Sequence, residues 1–167
     1  VQAAKETETA GTETLTTTSS LEIILINFEV LMADGQHLFQ QHCQELDNKD
    51  FEPELTRYEI IESKNSLICL GVYLGQQMVG YSTTVLFRHG HHDTLMAGSD
   101  SIYILPKFRK GIGLQLIRQT EKHAQEAGVD CIVWSAKPGS SLDLILSARR
   151  DYEHAETHYQ RKLNGRY

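Results

Sequence analysis

Large apolar side chains are almost missing from the first twenty residues, VQAAKETETAGTETLTTTSS. A segment this rich in Thr and Glu cannot bury enough surface to offset its ordering entropy, so residues 1–20 read as a flexible low-complexity tail. Its start at Val1 rather than Met fits a linker from a longer polypeptide. Apolar patterning begins at Leu21, and Leu21–Ile26 predicts a first strand. From Phe28 to Leu46, apolar residues at Val30, Leu31, Leu38, Phe39 and Leu46 predict one or two amphipathic helices, interrupted near Asp34-Gly35. Pro53–Glu62 predicts another short helix. Then the texture changes to β-rich runs, Ser66–Tyr73 and Gln77–Leu86, joined by the hairpin signal Leu74-Gly75-Gln76. After the polar loop Arg88–Asp93, Thr94–Ile104 continues the meander and stops before Pro106.

Beyond Pro106 the pattern alternates. A glycine-opened helix spans about Gly111–Ala127, with Leu116, Ile117, Thr120, Ala124 and Ala127 near one face and Gly128 as its C-terminal signal. Cys131–Ser135 predicts a short buried strand. Ser141–Arg150 predicts a helix capped by Ser140 or Ser141, and Tyr152–Leu163 a closing strand. This order gives an α+β sandwich: a mixed, mostly antiparallel sheet with helices on both faces. Residues 21–167 are expected to form a single domain, a length that can bury about two-thirds of its unfolded surface.

Composition narrows the classes. The formal net charge of −6 opposes broad electrostatic binding to nucleic acid. No apolar run approaches the roughly 20 residues of a membrane span, and nothing at the start resembles a cleavable signal, so no membrane and a cytoplasmic location are expected. Cys43, Cys69 and Cys131 are odd in number and widely spaced, which fits small buried side chains in a reducing compartment. One stretch runs against the overall charge. Lys107, Arg109, Lys110, Arg118 and Lys122 stand against the single acid Glu121, either as a solvated helix face or as a local anion site.

The glycines favour the anion site. A strand ending in Pro106-Lys107-Phe108-Arg109-Lys110-Gly111-Ile112-Gly113 runs directly into a helix. Glycines let backbone N–H groups turn inward, and the helix start adds a partial positive charge. Arg109 and Lys110 can then neutralise phosphate oxygens. A Walker A loop would need Gly-Lys-Ser/Thr, which is absent. A dinucleotide fingerprint would need a third glycine where Leu116 stands, although Asp130 lies near the expected ribose-binding spacing.

The third option is a resemblance. The strand Asp100-Ser101-Ile102-Tyr103-Ile104-Leu105-Pro106, the loop, and Leu114-Gln115-Leu116-Ile117 resemble the coenzyme-A region of the GNAT acyltransferase family, with its Arg/Gln-x-x-Gly-x-Gly/Ala motif. Leu146–Tyr152 is similar to the family's helix-to-strand passage Leu-Tyr-Glu-Lys-x-Gly-Phe, and Glu156–Leu163 to its last strand. His42–Leu46 and Val79-Gly80-Tyr81 resemble small members of phage and prophage origin. The resemblance covers about residues 21–163.

It implies the GNAT acyl-CoA N-acyltransferase fold and direct transfer of an acetyl group from acetyl-CoA to an amine of a small molecule or protein. It also allows a homodimer. Cofactor contacts would fall on Ile102, Tyr103, Ile104, Arg109, Lys110, Gly111, Ile112, Gly113 and Leu114. Asp100 would be the base, acting through water, and Tyr159 would orient or protonate the leaving thiol. Two departures stand out. The second glycine falls at i+4 from Arg109 rather than i+5, so either Lys110 and Gly111 redistribute the turn or the cradle is compromised. Ser147 stands where many members have a general-acid Tyr, and Asp151 replaces the glycine before the aromatic. These departures and the tail keep a second reading open, a catalytically inactive GNAT-fold binding or structural module associated with phage.

Three further groups are weighed on chemistry alone. His42 and Glu45 share a helix face and are expected to line the acceptor cleft. His91, in the run His89-Gly90-His91-His92-Asp93, is expected at the substrate rim. Imidazoles so close in sequence rarely converge on zinc, so no metal is expected.

Overall fold

A computed structural model of the chain describes residues 20–47, 50–159 and 161. The expected tail, apart from Ser20, and the end of the expected closing strand lie outside the described residues. Five strands form one sheet in the order β1 (Leu21–Ile26), β2 (Leu67–Leu74), β3 (Gln77–Arg88), β4 (Leu95–Ile104) and β5 (Cys131–Val133). The first four are antiparallel, and β5 runs parallel to β4. Helices α1 (Phe28–Asp47) and α2 (Leu55–Ser63) follow β1, α3 (Arg109–Glu126) follows β4, and α4 (Ser141–Ser147) follows β5.

The sheet is apolar on both faces because helices cover both. Phe28, Leu31, Leu38 and Phe39 of α1 pack on Cys69, Met78, Tyr81 and Tyr103 of the sheet, with Tyr58 of α2 against them. The opposite face packs Leu70, Val72, Val79 and Ile104 against Ile112 and Leu116 of α3. Residues 68–72 of β2 are therefore buried without a break, as a strand covered on both faces requires. Buried Ser82 and Thr120 satisfy each other at 2.9 Å, and Thr120 also donates to Leu116 C=O, so neither hydroxyl is orphaned.

Local structure departs from the expectations in four places. Strand β5 ends at Val133 rather than Ser135 and leaves Cys131 exposed rather than buried. Helix α1 is continuous over 20 residues rather than interrupted near Asp34-Gly35. Gly35 serves packing: a Cβ there would lie 3.0 Å from Phe39 Cζ and 3.3 Å from Met78 Sδ. No strand forms over residues 152–159. Residues 153–159 are exposed throughout, and Glu153-His154-Ala155-Glu156-Thr157-His158 offers no alternating apolar side chains to bury on a sheet. Finally, α4 ends at Ser147 rather than Arg150. Its start is as expected, with the Ser140 hydroxyl accepting from Asp143 N–H at 3.3 Å. Among the described residues no helix is long and apolar enough to cross a membrane.

Candidate active site

The meander delivers Asp100 to an irregular point of β4. Thr83 pairs with Ser101 and Thr84 with Ser99, so Asp100 is the extra residue of a bulge, a feature that re-aims a side chain. Its Oδ2 accepts hydrogen bonds from Tyr58 Oη of α2 at 2.8 Å and from Thr83 Oγ1 of β3 at 3.1 Å. Burial, and then the Asp100 carboxylate, push the Tyr58 phenol well above its ordinary range, so Tyr58 remains a donor at neutral pH. Asp100 lines a groove of about 420 Å³ with Cys43, Phe51, Arg57, Tyr58 and the acids Asp50, Glu52 and Glu54.

Past Asp100, β4 has a free edge. Leu105 N–H donates to Val79 C=O at 2.9 Å, and Tyr103 and Ile102 lie opposite Tyr81 and Ser82. Antiparallel alternation then turns the peptide groups of Ile102 and Ile104 away from β3. On that side β5 pairs only with Met96–Gly98. Among the described residues no strand continues the pairing, so an extended ligand with amide groups can take it up.

The edge leads into the glycine loop. A 3-10 turn, Pro106–Phe108, precedes α3, and the first residues of α3 are irregular. Lys110 has φ −65° and ψ 111°, Gly111 φ +86° and ψ −37°. Lys110 and Gly111 thus redistribute the turn of the shortened motif, and the regular helix begins at Ile112. Gly111 needs its positive φ, and no heavy atom lies within 4 Å of where its Cβ would be. The N–H groups of the first helical turn have no intrahelical acceptor, the general property that suits a helix start to an anion. A Cβ at Gly113 would lie 3.9 Å from Ile145 Cδ1 of α4.

Arg109 takes a different place from the one expected. Its Nε donates to Ile104 C=O at 2.8 Å, and its Nη2 meets Glu45 Oε2 at 2.6 Å. The Arg109 hydrogen bond holds the Glu45 carboxyl below its usual range, while Glu45 raises the guanidinium. Lys107, over the Phe108 ring at 4.7 Å, and Lys110 remain as exposed cations of the loop. His42 is likewise drawn inward. Its Nδ1 lies 2.7 Å from Tyr81 Oη, and its ring stacks on Tyr103 at 4.8 Å between centroids. Arg109 sits over the same Tyr103 ring at 5.4 Å.

Several expectations are corrected by these contacts. His42 and Glu45 share a face of α1, but that face meets the sheet and the loop rather than the groove. Tyr103 turns its peptide groups toward β3 and its ring under α1, because residues 101, 103 and 105 share the β3 side. Ile112 is buried beside Leu116, and Leu114 is half-buried in the same turn of α3, so both can offer a ligand only backbone. Tyr159 is 93% exposed and no strand carries it to the sheet. His91 lies on the exposed turn between β3 and β4, outside the groove lining, where His89 and His92 stack on each other. Trp134 donates to Glu121 Oε1 at 3.2 Å, and Lys137 to Leu46 C=O at 3.0 Å. Sequence reasoning missed Tyr58, Tyr81 and Thr83. Their only advance signal is the run Ser82-Thr83-Thr84 in the middle of an otherwise apolar hairpin.

Comparison with known proteins agrees with this geometry. The sequence pattern of the Acetyltransferase (GNAT) family matches residues 32–141. No curated protein matches the chain. Among solved structures, an aminoglycoside acetyltransferase from an uncultured soil metagenomic sample, in complex with trehalose, superimposes with TM-score 0.69 at 19% identity, covering 86% of this chain and 97% of that one. The ribosomal-protein-alanine N-acetyltransferase of Brucella melitensis biovar Abortus 2308 gives 0.67 at 18%, covering 87% and 100%. AAC(6')-Iy, in complex with the bisubstrate analogue CoA-S-monomethyl-acetylneamine, gives 0.63 at 18%, covering 87% and 99%. At these identities the structures establish the fold alone, whereas the family pattern spans most of the chain. The chain belongs to the GNAT family of acetyltransferases and is an enzyme of that acyltransferase type.

Proposed function

We propose that the chain moves an acetyl group from acetyl-CoA directly to a primary amine held in the Asp100 groove. The observation that carries this reading is the position of Asp100. It stands at a bulge between the groove and a free strand edge that leads to an anion-accepting helix start. The residues fit the co-substrate. The peptide groups of Ile102 and the N–H of Ile104, whose C=O already accepts from Arg109, suit an extended pantetheine arm, and the N–H groups of Gly111 to Leu114, with Lys110, suit its pyrophosphate. Acetyl-CoA supplies the activated acyl group. Asp100 accepts a proton from the acceptor amine, directly or through one water, and the neutral amine attacks the thioester carbon. As the C–N bond forms the C–S bond breaks, and CoA leaves as the thiolate that takes up the proton lost by the new amide nitrogen. Positioned proton transfer of this kind contributes about 10²–10⁴-fold, and alignment of the two substrates contributes further.

Groove charge supports a cationic acceptor. Asp50, Glu52, Glu54 and Asp100 outnumber Arg57 on its walls, which favours entry of an amine carrying more than one positive charge. Aminoglycosides are such amines, and acetyltransferases named for them share the fold. The likeness of His42–Leu46 and Val79–Tyr81 to phage and prophage members supports placing the chain in that branch.

Thiol release from acetyl-CoA, measured across aminoglycosides, polyamines and peptides with free N-termini, tests the reading. Asp100→Asn should lower kcat by about 10²–10⁴-fold while the rise in Tm on adding acetyl-CoA persists. Equal turnover by Asp100→Asn would remove the base assignment. If millimolar acetyl-CoA left the Tm of the unaltered protein unchanged, the transferase reading would fail in favour of a structural module.

A further inference from the structure

Both hydrogen bonds to the Asp100 carboxylate fall on one oxygen. Oδ2 accepts from Tyr58 Oη at 2.8 Å and from Thr83 Oγ1 at 3.1 Å, and among the described residues no donor reaches Oδ1. Each donor is itself held in place. The Tyr58 ring stacks on Phe28 of α1, with centroids 4.9 Å apart and planes 18° from parallel. One turn further along α2, Glu62 Oε1 accepts from Phe28 N–H at 2.6 Å, so α2 is tied to the start of α1 at two successive turns. Thr83 is 4% exposed. Its hydroxyl has one hydrogen, which goes to Asp100, so the Ser101 hydroxyl 2.6 Å away is the donor to Thr83. Glu54, Arg57, Tyr58 and Ile61 line the groove at the i, i+3, i+4, i+7 spacing of one helix face. The helix that faces the groove is therefore also the helix that holds its carboxylate.

Resting on the acetyl-transfer reading above, we infer that Tyr58 and Thr83 are positioning residues for the base: they anchor Asp100 through Oδ2 and leave Oδ1 to take the amine proton. Two donors arriving from different elements, α2 and β3, fix the plane of the carboxylate as one donor alone does not. Their hydrogens also occupy the lone pairs of Oδ2, so an arriving proton meets open lone pairs at Oδ1. In the transfer an amine N–H bond breaks and an O–H bond forms at Oδ1, while Oδ2 keeps both donors. Burial, and then the Asp100 carboxylate, hold the Tyr58 phenol in its protonated form, so Tyr58 supplies a hydrogen bond and no proton. Asp100 is exposed, so the proton on Oδ1 passes to water and the carboxylate returns for the next turnover. Tyr58 and Thr83 act through Asp100 rather than on the reacting atoms.

Two measurements test the anchoring, one of which needs no turnover. Tyr58→Phe keeps the ring on Phe28 and removes only the hydroxyl, and Thr83→Val keeps the branched shape and removes the other donor. Each should lower kcat by about 10–10²-fold with KM for acetyl-CoA unchanged, and Thr83→Ser, which retains a hydroxyl, should restore it. In an Asp100→Asn background Tyr58→Phe should lower kcat no further, because residues that act through one group are not additive. A loss of the same factor in both backgrounds overturns the assignment, since a purely structural role for Tyr58 gives that result. Without turnover, the three-bond Hα–Hβ couplings of Asp100 should report one side-chain rotamer in the unaltered protein. They should show rotamer averaging in the Tyr58→Phe, Thr83→Val double variant, with Tyr58→Phe alone in between. An Asp100 that keeps one rotamer without these donors overturns the anchoring even where acetyl transfer proceeds. Couplings that average as expected, with no thiol release from any amine, retire the acetyl-transfer reading and leave the anchored carboxylate standing.

Discussion

Replacing Gly111 with alanine separates the two jobs of the loop, a backbone turn and an anion cradle. Gly111 has φ +86°, a region where an L side chain costs roughly 1–2 kcal/mol. Because no heavy atom lies within 4 Å of its would-be Cβ, packing adds nothing and backbone strain is the whole cost. In a domain of this size about 1 kcal/mol moves Tm by roughly 2–4 °C. Gly111→Ala should therefore melt about 2–8 °C lower without ligand. Gly128 supplies the control. It has φ +81° with nothing within 4 Å, but it closes the far end of α3, so Gly128→Ala should lose a similar amount. Acetyl-CoA should part the two variants. At about 100 times Kd, a ligand specific to the native state adds about 2.7 kcal/mol, and Gly128→Ala should keep that gain. In Gly111→Ala the strained turn re-aims the N–H groups of Ile112 and Gly113. A tenfold weaker Kd would remove about 1.4 kcal/mol of the gain. Scanning fluorimetry with and without acetyl-CoA reads both effects. Equal ligand shifts in the two variants would show that Gly111 is no part of the cradle, and an unchanged ligand-free Tm would show that its positive φ is dispensable.

Two further outcomes follow from contacts that hold the site. A Cβ at Gly80 would lie 2.9 Å from both Ile104 Cγ1 and the Tyr103 carbonyl oxygen, so Gly80→Ala should destabilise by about 1–3 kcal/mol, seen as a lower denaturant midpoint. An unchanged midpoint would mean that β3 and β4 can separate without cost. Glu45 is held below its ordinary value of 4.5 chiefly by the Arg109 hydrogen bond. A depressed folded pKa gives stability that is present above the unfolded value and lost as pH falls through the folded one. The Tm advantage of the unaltered protein over Glu45→Gln should therefore be small at neutral pH, because the Glu45 side chain is 43% exposed, and should vanish in acid. A gap that widened below pH 4.5 would contradict the pairing.

The meander was legible because its apolar runs are long and Gly75 marks the hairpin between them; the same signals placed Asp100 on the strand that leads into the glycine loop. Gly35 was misread because a glycine in a helical pattern looks the same whether it breaks the helix or admits a ring against it. Only the contact with Phe39 and Met78 decides. Residues 152–159 were misread for a related reason, since a likeness to a family strand does not supply the apolar side chains that would bury it. The partners of Asp100 had no sequence signal that named them. Tyr58 and Thr83 stand 42 and 17 positions away, and Glu45 reaches Arg109 across 64. Residue types carry such pairs no further than local spacing does, so long-range neighbours become visible only once the sheet is assembled.

The displacement of Arg109 ties the groove to the loop. With its guanidinium on Ile104 C=O and Glu45, Arg109 is a brace between β4 and α1, and in the proposed acetyl-CoA reading anion recognition would fall to backbone N–H groups and Lys110. The last turns of α1 then join three parts of the site. His42 meets Tyr81 and Tyr103, Glu45 meets Arg109, and the Leu46 carbonyl meets Lys137, beyond the end of β5. All three lie beyond Gly35, so the C-terminal half of α1 sets their register, while the missing Cβ of Gly35 serves the core contact with Phe39 and Met78. A ligand that reshapes the loop meets Arg109, and through it Glu45 on the last turns of α1.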